Sequence, residues 1–251
     1  MANAAYIGLE TATSLLISYE ALALAHRKSK NIENIYAEQD GRNPNQNVNY
    51  KCGFALLIVN ASIIEGTLRS IISDRLLDDI AKATDLAREQ GRTGPTKAES
   101  LLAKYHSDVE MQGGWEKLKG QYSFYFDKSL SEEIGKDLSE TLEVLFLLRN
   151  VLAHGTAIVQ PSIKMDETVK DIYPYNWQRQ LQRASVYLEK VFGKGDFFKN
   201  LADYSMPEHF LEKTKELFSA VEKSFGPIPQ RASKTVELIH KYSFGYVHYT
   251  R

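Results

Sequence analysis

The sequence predicts an all-α protein, an antiparallel helical bundle with a C-terminal helical extension. Three observations predict it. Apolar residues recur at helical spacing along nearly the whole chain. Polar segments bearing Gly and Pro cut that pattern into helix-sized lengths: GRNPNQNVN at 41–49, GRTGP at 91–95 and GPIP at 226–229. The composition is that of a globular chain, with 43% hydrophobic and 25% charged residues among 251 and no repeat or low-complexity tract.

Each element follows from its local pattern. Residues 4–29 read as a first helix, with Tyr6, Leu9, Leu15, Leu16, Tyr19 and Leu22 on a loose stripe. A long helix runs from about Gly53 to about Gln90, apolar on most sides at first and amphipathic later. A short helix is expected over 96–107. Residues 111–128 mix glycines with aromatics and predict no single element. Ser129 or Ser131 is the expected cap of the next helix, Ser129 and Glu132 having the spacing of a capping box, and that helix is expected to run to about Ala153, before Gly155. Residues 156–173 hold Pro161 and β-branched stretches, which suit a small hairpin or an irregular excursion. Helices follow near 176–192, 207–225 and 231–242, and the chain closes on the aromatic SFGYVHYTR. Residues 1–155 read as one core and 156–251 as the extension.

Composition also excludes function classes. Lys and Arg number 31 and Asp and Glu 32, so the net charge of −1 argues against a histone-like nucleic-acid binder and leaves room for a local basic pocket. The single Cys52 excludes an intrachain disulfide and a Cys-based zinc cluster. The histidines lack partners at metal-ligand spacing, so no metal or other cofactor is expected. GKGD at 193–196 lacks the Ser or Thr and the strand context of a phosphate-binding loop. No run reaches the roughly 18 apolar residues of a membrane span. The first residues lack the basic flank of a signal peptide. A reducing cytoplasm and no membrane partner are the expectation.

The informative stretch is VLFLLRNVLAHG, residues 144–155. On a helix, Ile134, Leu138, Leu142, Leu145 and Leu152 share an arc with Arg149, while Val144, Leu147 and Val151 cover the opposite side. This is the pattern of a central helix, interrupted only by Arg149 and Asn150 and ended by His154. A guanidinium cannot neutralise itself. Burying it unpaired costs several kcal/mol. It must therefore find an acid, line a polar cleft or face an anionic ligand. His154 sits at the negative end of the helix dipole, which favours a cationic ring. Five residues from Arg149 is a turn of roughly 140°, so the two side chains splay unless the helix bends, or stops, or a second subunit completes the site. Structural roles fit the same residues. A helical Arg is commonly salt-bridged or snorkelling, and a C-terminal His commonly satisfies helix carbonyls.

Arg149-Asn150-Val151-Leu152-Ala153-His154-Gly155 resembles the R-x4-6-H signature of HEPN domains, with four residues between Arg and His and a polar residue directly after the Arg. The resemblance covers these seven residues in an all-helical setting. It implies a compact bundle of mainly four or five helices that dimerises. It further implies a metal-independent endoribonuclease, of the kind found in toxin–antitoxin and antiviral defence systems. Arg149 and His154 would then be catalytic, Asn150 supporting, single-stranded RNA the substrate, and an antitoxin or regulatory protein a further partner. Some members carry an acid on an earlier helix near the Arg, and Glu65 is the matching position. Glu65 equally suits an i,i+4 pair with Arg69 on a solvated edge. A catalytically inactive module that binds RNA or protein and dimerises is the alternative the same motif allows.

Overall fold

The computed structural model describes residues 10–40, 51–154 and 175–244. Ten helices and no strand occur among them, so the chain is all-α. They are α1 (Thr11–Asp40), α2 (Lys51–Glu89), α3 (Lys97–Met111), α4 (Trp115–Phe126), α5 (Leu130–Glu133), α6 (Lys136–Ala153), α7 (Tyr175–Phe192), α8 (Phe197–Leu201), α9 (Met206–Phe225) and α10 (Gln230–Lys241). The hairpin or excursion expected at 156–173 lies outside the described residues.

Three boundaries differ from expectation, each for a local reason. The first helix does not end near residue 29 but runs to Asp40, because no Gly or Pro interrupts it before Gly41. The ambiguous stretch 111–128 forms α4, since Gly113 and Gly114 lie ahead of the helix and only Gly120 falls inside it. The third concerns residues 129–153, where one helix was expected and two form. Ser129 makes no side-chain capping bond, and α5 stops after one turn. Gly135, at φ 83°, carries the chain into α6 in the left-handed region that Gly reaches without strain. A capping box does form, but at Thr96. Its hydroxyl accepts from the Glu99 N–H at 3.2 Å while the Thr96 N–H donates to the Glu99 carboxylate at 2.6 Å. Arg92 clamps the same carboxylate at 2.6 Å and holds the Glu99 carboxyl down at about 2. Thr96→Ala is therefore expected to cost about 1 kcal/mol in a urea titration, and Ser129→Ala much less.

The chain gathers into two compact units. Unit 1 comprises Met1–Ile17, Ser62–Ile134 and Phe218–Lys241; unit 2 comprises Ser18–Ala61, Gly135–Leu217 and Tyr242–Arg251. Each draws on segments from both sides of residue 155.

In unit 1 the apolar part of α2 is the spine. Leu68, Ile71, Ile72 and Leu76 are fully buried, as are Leu118 and Tyr122 of α4, Phe218 and Val221 of α9 and Ile239 of α10. Tyr122 donates its hydroxyl to the Leu68 carbonyl at 2.8 Å and meets the Phe225 ring edge-on. Arg75 closes the α9–α10 turn by donating to the Pro227 carbonyl at 2.7 Å.

In unit 2, α6 packs against α7, and α7 against α8. Tyr187 of α7 donates to Thr141 of α6 at 2.8 Å, and Thr141 passes its own proton to the Asp137 carbonyl. His209 Nε2, 2.8 Å from the Tyr187 oxygen, is thereby left as the donor. His26 stacks on Tyr204 at 4.1 Å, and the two exchange hydrogen bonds through side chain and backbone in both directions, at 2.8 and 2.7 Å. The start of the aromatic C-terminal segment docks here: Phe244 is buried, edge-on to Tyr19 and His26. Residues 245–251 lie outside the described residues. The GKGD segment is tied by its own neighbours, Gly195 N–H to Glu189 at 2.8 Å and Lys194 N–H to Asn200 at 3.1 Å, with Asp196 capping α8.

Burial lowers the pKa of both His26 and His209 from the ordinary 6.5; Lys213 pushes His209 further in that direction. A histidine whose folded pKa is depressed contributes stability above its unfolded pKa and loses it as pH falls. The urea midpoint is expected to drop as pH is lowered from 7.5 to 5.5, with a smaller drop in the His26→Gln, His209→Gln double variant.

Candidate functional site

The sequence places the site at the end of α6, and the packing of that helix decides what reaches solvent. From Leu138 to Leu148 it is a core helix: Leu142, Val144, Leu145 and Leu148 are fully buried. Its last turn emerges. Val151 still anchors it at 2% exposure, Leu152 is half-buried, and Asn150, Ala153 and His154 are exposed. A central helix was expected from 144 to 153, and full burial of successive turns extends to Leu148, with Val151 buried beyond it.

Arg149 is half-buried rather than embedded. Its guanidinium donates from Nη1 to the Asn150 side-chain oxygen at 2.9 Å. Asn150 and His154 are four residues apart and so lie on one face of the helix. The ridge reads Arg149, Asn150, His154 in that order, with the Asn amide touching the guanidinium and sharing the imidazole's face. His154 itself is the C-cap. Its backbone stays close to helical, φ −81° and ψ −7°, and its N–H donates to the Asn150 carbonyl. The helix thus ends at Ala153, with His154 as its capping residue.

Two turns up the same face, Glu143 pairs with Arg183 of α7 at 2.5 Å. Sequence spacing alone could not find this pair, because it joins residues 40 apart.

Glu65 lies on α2 in unit 1. Its Oε1 accepts from Arg69 Nη2 at 2.7 Å and from the Gly114 backbone N–H at 2.8 Å. Arg69 Nη1 in turn donates to the Val109 carbonyl at 2.8 Å and to that of Gln112. This is the i,i+4 pair expected from spacing, but it is not on a solvated edge. The two side chains are only 14% and 11% exposed, and they bind the α3–α4 turn.

A second polar constellation escaped sequence reasoning. Ser73 of α2 lies 3.0 Å from His106 Nε2 and donates to Glu110, which Arg231 approaches at 3.6 Å. Those residue types suggest acyl transfer, but Ser73 is fully buried and spends its proton on the carboxylate. They form a structural knot. Its only sequence trace is the i,i+4 spacing of His106 and Glu110.

Among the described residues no three His, Cys, Asp or Glu side chains converge to hold a metal ion. Among the described residues one helix, the Cys52–Glu89 part of α2, is long and apolar enough to cross a membrane by length and composition alone. Most of its apolar window is buried inside the protein, as in a core helix. No family model matches the chain, and no curated protein or solved structure matches it either.

Proposed function

We propose that the protein is a metal-independent endoribonuclease whose site is built by two copies of the α6 ridge. The observation that carries this reading is the last turn of α6, where half-buried Arg149 touches exposed Asn150 and Asn150 shares a helix face with exposed His154, at the end of the apolar run from Val144 to Leu148. RNA supplies its own nucleophile. One imidazole takes the proton of the 2′-OH as that oxygen attacks phosphorus. The P–O5′ bond breaks, and a second imidazole protonates the leaving oxygen. Arg149 grips the phosphorane with its planar fork. One His154 cannot fill both proton roles in a single step, and two related by a twofold axis can. Asn150 holds the guanidinium in place. Products are a 2′,3′-cyclic phosphate and a 5′-OH. Unstacked single strands suit in-line attack, so single-stranded RNA is the substrate class. The role follows from the HEPN resemblance: a toxin or antiviral defence protein in the cytoplasm, with an antitoxin or regulatory protein as a further partner.

The test is incubation of labelled RNA with the purified protein in excess chelator, with the product termini identified. Cleavage to cyclic phosphate that vanishes in His154→Ala is the expected result. Cleavage abolished by the chelator, or retained in full by His154→Ala, refutes the reading. Binding without cleavage would instead favour a catalytically silent HEPN-like module.

A further inference from the structure

Unit 1 carries a surface that the proposed reaction does not use. On α3, Leu101 and Tyr105 lie one turn apart, and Leu101 is 66% exposed. On α4, Phe124 is 76% exposed and meets the Tyr105 ring edge-on at 5.0 Å. The rings are held in register because Tyr105 donates its hydroxyl to the Gln121 carbonyl at 2.9 Å and the Gln121 amide reaches the Asp108 carbonyl. Gly120, one turn before Phe124, has nothing within 4 Å of the place a Cβ would take, so the space beside the ring is open.

Three lysines border this face. Lys97 and Lys104 flank Leu101 on α3, and Lys117 lies two turns before Phe124 on the same side of α4, about 10 Å along the axis. None of the three makes an ion pair among the described residues. Lys119, on another side of α4, is by contrast paired with Glu116 at 2.8 Å. Of the acids near this face, Asp108 is half-buried and accepts from the Gln112 amide at 3.0 Å, and Asp127 is exposed just past the end of α4.

The exposed Phe124 ring, edge-on to half-buried Tyr105 and beside ammonium groups without an ion pair, suits a ligand that is polyanionic and presents flat apolar faces. A duplex hides its base faces. Acidic side chains alone would meet the lysines and leave the Phe124 ring uncovered. We infer that the α3–α4 hairpin binds single-stranded RNA, with bases stacked on Phe124 and Tyr105 and phosphates passing Lys97, Lys104 and Lys117. This rests on the nuclease reading only for the choice of RNA, and it assigns substrate holding to a surface other than the α6 ridge.

The experiment measures fluorescence anisotropy of a labelled single-stranded oligoribonucleotide of roughly 12 nucleotides. The protein is the full-length chain carrying His154→Ala, so that the probe stays intact. Binding is expected to weaken steeply with salt. Phe124→Ala should weaken it about tenfold, and Phe124→Trp should retain it. Lys104→Glu with Lys117→Glu should reduce the salt slope by about two. Phe124 is exposed, so its replacement leaves the fold intact by circular dichroism. The inference is overturned by no binding, by equal binding of the matching duplex, or by binding unmoved in these variants. Self-association that Phe124→Ala abolishes while RNA binding is unmoved also overturns it and assigns the face to a second copy. The two readings fail separately. Cleavage lost in His154→Ala alongside normal binding in the hairpin variants sinks this inference alone. Hairpin-dependent binding by a wild-type protein that never cleaves sinks only the α6 reading.

Discussion

His154→Ala is expected to give a folded protein whose RNA cleavage is slower by about 10²–10⁴-fold, the usual contribution of a positioned acid–base group. The side chain is exposed at the end of α6, so its removal creates no cavity, and the helix keeps its last hydrogen bond because that bond uses the backbone N–H. Thermal midpoint and helical circular dichroism should therefore match the wild type. Arg149→Ala should be comparably slow, by about 10²–10³-fold, if the guanidinium stabilises charge on the phosphorane. Arg149→Lys should not restore the rate, because an ammonium lacks the planar fork that spans two phosphate oxygens while donating to the Asn150 side-chain oxygen. Dilution below the dimer dissociation constant should lower the specific activity. A specific activity that stays constant while ultracentrifugation shows a monomer would rule out a site shared between copies.

Glu65→Ala is expected to cost about 3 kcal/mol of stability, measured as a shift in the urea midpoint at constant slope. The loss combines two terms. Arg69 becomes a nearly buried cation with carbonyls as its remaining partners, and the Gly114 N–H loses its acceptor. Glu65→Gln keeps the shape and an acceptor oxygen, so it should cost clearly less. A change below about 1 kcal/mol in Glu65→Ala would show that the turn does not depend on this pair. Gly113 belongs to the same arrangement. A Cβ there would come within 3.3 Å of the Glu65 carboxylate, so the glycine keeps the carboxylate's approach to the turn open.

Legibility in the sequence followed the range of the interactions involved. The long α2, the breaks at Gly91 and GPIP, and α9 and α10 could be read because apolar spacing and Gly or Pro act within a few residues. Ser129 and Thr96 show the limit of that approach. Both head a Ser/Thr-x-x-Glu pattern, but only Thr96 caps a helix, and Arg92 fixes the Glu99 carboxylate there from across the loop. The ridge of Arg149, Asn150 and His154 could be located by spacing. Its exposure could not, because whether the last turn of α6 is covered depends on where the neighbouring helices end. The partner of Glu65 was half legible: the i,i+4 link to Arg69 is local, whereas its burial and its hold on Gly114 come from α4, 49 residues on.

The two units interleave along the chain, and this constrains any attempt to dissect it. Because segments alternate in ownership at residues 17, 61, 134, 217 and 241, a truncation placed anywhere removes material from at least one of them. Neither can be obtained as a contiguous fragment. Deletion mapping would thus conflate loss of a function with loss of a fold, and point substitutions in the intact polypeptide are the informative perturbation.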